Sequence, residues 1–90
     1  MHLSVVIIYS RPGCHLCERA KEVLGRARLR AQFSVEEVDI SQDANLLARY
    51  GQEIPVILLD GVEIARHFVR EHKLLNLLQS SNQPAEEHRT

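Results

Sequence analysis

Cys14 and Cys17 are the residues of this 90-residue chain best suited to covalent chemistry, and they stand three positions apart as C-x-x-C. They follow a β-branched run and open a stretch with helical spacing of its apolar residues. Positions three apart on a helix share a face. Their Cα atoms are then about 5–6 Å apart, within the span of a disulfide. Such a pair opens and closes with little backbone movement. Cys14 falls at the first helical turn, where free N–H groups and the helix dipole stabilise an anion. Arg11, three residues upstream, adds positive charge. Settings of this kind lower a thiol pKa from about 8.5 to roughly 3.5–7.5. At pH 7 a fall to pKa ~7 raises the thiolate fraction roughly 15-fold. Reduced basicity costs about 4–6-fold in nucleophilicity, which leaves a net gain of about threefold, and the stabilised thiolate also leaves faster. The expectation is a nucleophilic Cys14 with a moderately lowered pKa. Cys17, one turn into the helix and less exposed, is the expected resolving thiol.

Other uses of a cysteine pair place further demands on the sequence. Covalent haem needs C-x-x-C-H, and Glu18 follows Cys17, which excludes it. Structural zinc needs two more ligands. His67 and His72 are spaced H-x4-H, but about fifty residues separate them from the cysteines, against the ~12–15 of a zinc finger. No metal ligand is therefore assigned. Three readings stay open beside dithiol redox chemistry. One is a metal or iron–sulfur module using Cys14 and an external thiol. Another is a structural pair of reduced cysteines. The third is an interaction domain without turnover.

The elements that must position the pair are legible from periodicity. Leu3 to Tyr9 is nearly all apolar and β-branched, as suits a central strand buried on both faces. Ser10-Arg11-Pro12-Gly13 breaks it. From Cys14 to about Arg28, Leu16, Ala20, Val23, Leu24 and Ala27 recur as one helical stripe. The cations from Arg19 to Arg30 favour the helix C-terminus and read as a solvated face. Phe33 to Ile40 reads as a second strand, although its alternation slips between Val35 and Val38, which predicts a bulge or one misassigned face. Ser41 is the expected N-cap of a short helix over 42–50 that stops at Gly51. Val56–Leu59 and Val62–Ile64 flank Asp60-Gly61 as a hairpin. A last helix is predicted from His67 to about Gln79, with Phe68, Leu75 and Leu78 on its apolar side. The order β-α-β-α-β-β-α predicts an α/β fold with a mixed four-stranded sheet and helices on both faces. Residues 1–79 form the expected domain and 80–90 a frayed tail.

Tyr9-Ser10-Arg11-Pro12-Gly13-Cys14-His15-Leu16-Cys17 and Ile54-Pro55-Val56 together resemble the glutaredoxin branch of the thioredoxin-like superfamily. The resemblance spans about residues 3–79. It implies a thioredoxin-like fold, a cis Pro55 facing the cysteine pair, and an Ile54 backbone that pairs with an extended substrate. It also implies glutathione as a co-substrate rather than a tightly bound cofactor. His15 and Leu16 stand where glutaredoxins usually carry proline and an aromatic. Ala65-Arg66-His67-Phe68 stands where they carry a Gly-Gly pair and small polar and acidic residues that grip glutathione. Side chains there replace a close backbone approach. Some divergent relatives are reduced by a thioredoxin reductase instead. His15 is a candidate tuner of the Cys14 pKa, although the helix dipole disfavours a cation there. Arg11, Ile54 and Pro55 are the candidate substrate-binding residues. Tyr9 reads as packing at a strand end, and Arg66 and His67 as exposed side chains.

Composition bounds the partners. Eleven Lys+Arg against twelve Asp+Glu give a formal net charge of -1, unlike a dedicated nucleic-acid binder. No apolar run reaches the ~18–20 residues that span a bilayer. Leu3 to Tyr9 lacks a basic leader and a small-residue cleavage site, so no export signal is expected. Two cysteines cannot build a multi-disulfide secreted scaffold. A monomer in the cytoplasm is expected, with a disulfide-containing protein or small thiol as substrate and glutathione or thioredoxin reductase as reductant.

Overall fold

The computed structural model describes residues 3–82. They run β1 (Val5–Ser10), α1 (His15–Arg28), β2 (Ser34–Asp39), α2 (Ala44–Tyr50), β3 (Val56–Leu59), β4 (Val62–Arg66) and α3 (Glu71–Asn82), with a 3-10 turn at Ile40–Gln42. This is the expected element order. The sheet is ordered β2-β1-β3-β4. β1 and β2 are parallel and joined through α1, whereas β1–β3 and β3–β4 are antiparallel.

The β3–β4 connection shows why two residues suffice. Asp60 and Gly61 both have positive φ, 50° and 87°, the combination of a hairpin turn whose twist matches that of its strands. Asp60 also fastens the turn to β1. The Val5 N–H donates to Asp60 Oδ1 at 2.9 Å, and the Asp60 N–H donates to the Val5 carbonyl at 2.8 Å.

Alternation along the strands divides the core. Val6, Ile8, Ile57 and Leu59 meet Ala20, Leu24 and Ala27 of α1 and Leu74 and Leu78 of α3. The opposite face carries Tyr9, which packs with Leu46, Leu47 and Tyr50 of α2 around Cys17, Ile40 and Ile54. Helices therefore lie on both faces, as the element order predicts.

Several local expectations change. β1 is fully buried on one face only: Val6 and Ile8 are inaccessible, while Val5 is 37% exposed, because seven-residue α2 covers only one end of the other face. β2 pairs with β1 in unbroken register. Val35 and Val38 simply face opposite sides, and the register shift lies instead at Ile57/Leu58 against β4. Ser41 is not the cap of α2. Asp43 holds that position, accepting from the N–H groups of Asn45 and Leu46 at 2.9 and 3.1 Å, and Ser41 sits inside the 3-10 turn. α2 thus begins at 44 rather than 42. α3 starts at Glu71, not His67, because His67 takes a φ of +67° and breaks the run. Phe68 consequently precedes the helix and is exposed rather than packed on it. α3 continues to Asn82, past the expected domain boundary at 79. The remainder of the expected tail, 83–90, lies outside the described residues.

Candidate active site

α1 begins at the C-terminal end of β1, so the central strand delivers the cysteine pair to one end of the sheet. Gly13, with φ +81°, turns the chain into the helix. Cys14 is the N-cap residue in extended conformation (φ -93°, ψ 107°) and His15 is the first helical residue. A side-chain acceptor at the N-cap normally satisfies one of the helix's unpaired N–H groups. Here that acceptor is sulfur. The Cys17 N–H donates to Cys14 Sγ at 3.1 Å. The two cysteines form a disulfide with Cα atoms 5.2 Å apart.

The sulfurs differ in access. Cys14 is half-buried, whereas Cys17 is 1% exposed. Cys17 packs into the small core with Ile40 and Ile54, and Cys14 borders it beside Tyr9 and Tyr50. The two tyrosine rings lie 5.1 Å apart with a 44° tilt. Ile54 and Cys17 are therefore brought together in one small core, with Cys14 at its border. The Ile54–Pro55 peptide bond is cis, and Pro55 is fully buried. The Pro55 carbonyl accepts the His67 N–H at 2.7 Å, which ties the β4–α3 connection to the proline.

The other candidates sit further out. Arg11 is exposed in the loop after β1. Asp39 lies below the usual carboxylate range, chiefly because the Ser41 hydroxyl and N–H donate to it, with a smaller contribution from the positive charge of Arg11. The Arg11 charge thus serves an acid at the end of β2 as well as the cysteine loop. His15 is exposed at the helix start. Arg66 is not free. It pairs with Glu63 and reaches Glu53 at 3.3 Å, and its guanidinium lies 5.9 Å from the centre of the Tyr50 ring. Glu63 holds the Arg66 pKa above its ordinary value. His67 Nε2 approaches the Gln52 carbonyl at 3.3 Å. Among the described residues no three of His, Cys, Asp and Glu are grouped so as to hold a metal ion.

Sequence reasoning did not assign Tyr50, Leu46, Leu47 and Ile40 to the site. Only a weak signal existed: α2 ends at Tyr50, five residues before the proline.

The site thus combines a disulfide at a helix start, a half-buried Cys14 before a buried Cys17, and a cis-proline next to Ile54 of the same small core. The glutaredoxin-like domain family (DUF836) matches residues 5–79. This chain belongs to that family. It is 33% identical to a glutaredoxin-like protein of Dictyostelium discoideum over 73% of this chain and 67% of that one. An uncharacterised protein of Mycobacterium tuberculosis is 34% identical over 77% of this chain and 76% of its own. Among solved structures, protein XcR50 of X. campestris matches with a TM-score of 0.69 at 32% identity, over 88% of this chain and 99% of that one. A thioredoxin from Halobacterium salinarum shares the fold, with a TM-score of 0.68 at 20% identity over 90% of this chain and 76% of its own.

Proposed function

We propose that this glutaredoxin-like protein is a thiol–disulfide oxidoreductase acting on protein or glutathione mixed disulfides. The observation that carries the reading is the asymmetry of the pair: Cys14 is half-buried and its Sγ receives a helix N–H, whereas Cys17 one turn further on is buried. In the dithiol form the Cys14 thiolate attacks a substrate disulfide and forms a mixed disulfide, releasing one substrate thiol. Cys17 loses its proton and attacks Cys14 Sγ. The second substrate thiol leaves, and the Cys14–Cys17 disulfide remains. Two electrons pass to the substrate. A thiol reductant, glutathione or a thioredoxin reductase, restores the dithiol.

Helix N–H groups supply the anion stabilisation that exchange needs in both directions. Ile54, next to the cis-proline and the cysteines, offers its backbone to an extended substrate. Arg11 adds positive charge at the loop, and His15 is a second, weaker tuner. The reaction asks for no tightly bound cofactor and is performed by a monomer in the cytoplasm.

A coupled reduction assay with glutathione and glutathione reductase in one arm, and thioredoxin reductase in the other, tests the activity and identifies the reductant. Turnover in either arm that is lost in Cys14→Ser supports the reading. Equal rates for wild type, Cys14→Ser and Cys17→Ser refute it. Stoichiometric iron or visible absorbance after anaerobic purification would favour a cluster-binding module instead.

A further inference from the structure

The exchange chemistry leaves the β4–α3 connection unused, yet this connection carries the most conspicuous aromatic side chain of the molecule. Phe68 is 69% exposed, although aromatic rings are among the most favourable side chains to bury. Phe68 and Val69 together line two adjoining apolar depressions. One runs along α1 past Leu16 and Val23. The other, about 220 Å³, lies between β4 and α3 over Ile64 and Leu77. Leu16 stands between the two cysteines in sequence, and the Pro55 carbonyl holds neighbouring His67. At one end the apolar strip therefore includes the residue directly between the two cysteines in sequence, and the hydrogen bond from His67 ties its β4–α3 segment to the cis-proline.

Its rim is cationic. Arg19 borders the first depression, and Arg70 and Lys73 the second. Neither depression is lined by an acidic residue. Arg66 also borders the second, but Glu53 and Glu63 neutralise it. Among the described residues Arg19, Arg70 and Lys73 have no carboxylate partner. Unneutralised cations around an exposed ring complement acidic groups flanking an apolar side chain, and such complementarity selects partners and speeds encounter.

We propose that this strip docks a disulfide-bearing polypeptide whose segment beside the reactive cysteine carries acidic residues around an apolar side chain. The proposal rests on the exchange reading above and names the substrate class for that site. The electrons come from the Cys14–Cys17 dithiol, which becomes the disulfide as the polypeptide disulfide becomes two thiols.

The test uses prereduced full-length protein in single-turnover reduction of two disulfide-linked peptides. They are identical except for two Glu or two Lys beside a leucine, and 2-hydroxyethyl disulfide is the small uncharged control. The expected result is reduction of the Glu peptide about tenfold faster than the Lys peptide at low salt, with the ratio shrinking in 1 M salt. In Arg70→Glu/Lys73→Glu the Glu-to-Lys rate ratio should fall to one or below. In Phe68→Ser both peptides should slow by about threefold or more relative to 2-hydroxyethyl disulfide. Binding is read separately, by fluorescence anisotropy of both labelled peptides on the Cys14→Ser/Cys17→Ser protein. Equal peptide rates alongside normal reduction of 2-hydroxyethyl disulfide overturn the docking surface and leave the exchange activity standing. Charge-selective binding without reduction of any disulfide overturns the activity and leaves the surface. A glutathione mixed disulfide with the same dependence on Arg70 and Lys73 would overturn the assignment to a polypeptide.

Discussion

Cys14 and Cys17 differ by one helical turn in position and far more in access, and their variants should diverge accordingly. Cys14→Ser should abolish disulfide exchange. Cys17→Ser should instead accumulate a mixed disulfide between Cys14 and the substrate, visible as an intact-mass adduct that dithiothreitol removes. In the reduced protein Cys14 should titrate below the ordinary ~8.5 of a free thiol, because the helix N–H groups favour its anion. Iodoacetamide alkylation followed by peptide mass mapping should show it reacting at least tenfold faster than Cys17 (about the ratio expected between an accessible and a sealed thiol). Equal labelling of the two would contradict the geometry. The pair was legible in the sequence because spacing alone fixes which helix positions share a face. The wall around it was not. Tyr50, Leu46 and Ile40 reach the cysteines only through tertiary packing, which no local pattern encodes.

At the scale of elements, the sequence showed where segments exist better than where they end. Asp43, not Ser41, caps α2, because the chain first makes a 3-10 turn that uses Asp39 as its own cap. Both residues suit the role chemically, and only the path of the chain decides between them. Asp43→Ala should destabilise the protein by about 1 kcal/mol, read as a lower urea midpoint with unchanged slope. His67 at positive φ similarly ended a helical pattern that Phe68 seemed to continue. β2 carries its own electrostatic support. Glu37 accepts from Lys21 at 3.0 Å and from the Ser10 hydroxyl at 2.8 Å. These bonds, that of Lys21 first, hold the Glu37 pKa below its ordinary 4.5, and Glu18 and Glu37 raise that of Lys21. The Glu37 contribution is therefore complete above the unfolded-state value and is lost as pH falls through the lower folded-state value. The Lys21 contribution is lost only in strong alkali, as pH rises through its raised value. With these side chains 46% and 33% exposed, Glu37→Gln should cost no more than about 1 kcal/mol at pH 7. The difference from wild type should vanish in urea titrations below the folded-state pKa of Glu37.

Across the whole molecule, the larger cluster between the sheet and α1/α3 dominates stability, and the smaller one surrounds the chemistry. Leu74, inaccessible in the larger cluster, should cost about 2–5 kcal/mol as Leu74→Ala, a large share of the roughly 5–10 kcal/mol expected of a domain this size. The disulfide closes a loop with a sequence separation of only 3, so reduction should lower stability by no more than about 2 kcal/mol. The urea midpoint of the reduced form should fall by no more than that loss divided by the slope, and the fold should survive each redox cycle. The overall architecture was readable because element order and strand alternation constrain topology strongly. The sheet order was not, since it rests on long-range pairing of β1 with β2 and β3, nor was the partly bare second face, which depends on how far short α2 extends. The acidic character of β2 has a further effect. Glu36, Glu37 and Asp39 line the strand that closes one side of the sheet, where unpaired backbone groups would otherwise recruit another chain. A second copy approaching that margin meets like charge, so the protein guards itself against ribbon-like self-association at neutral pH, and that protection weakens as these carboxylates take up protons.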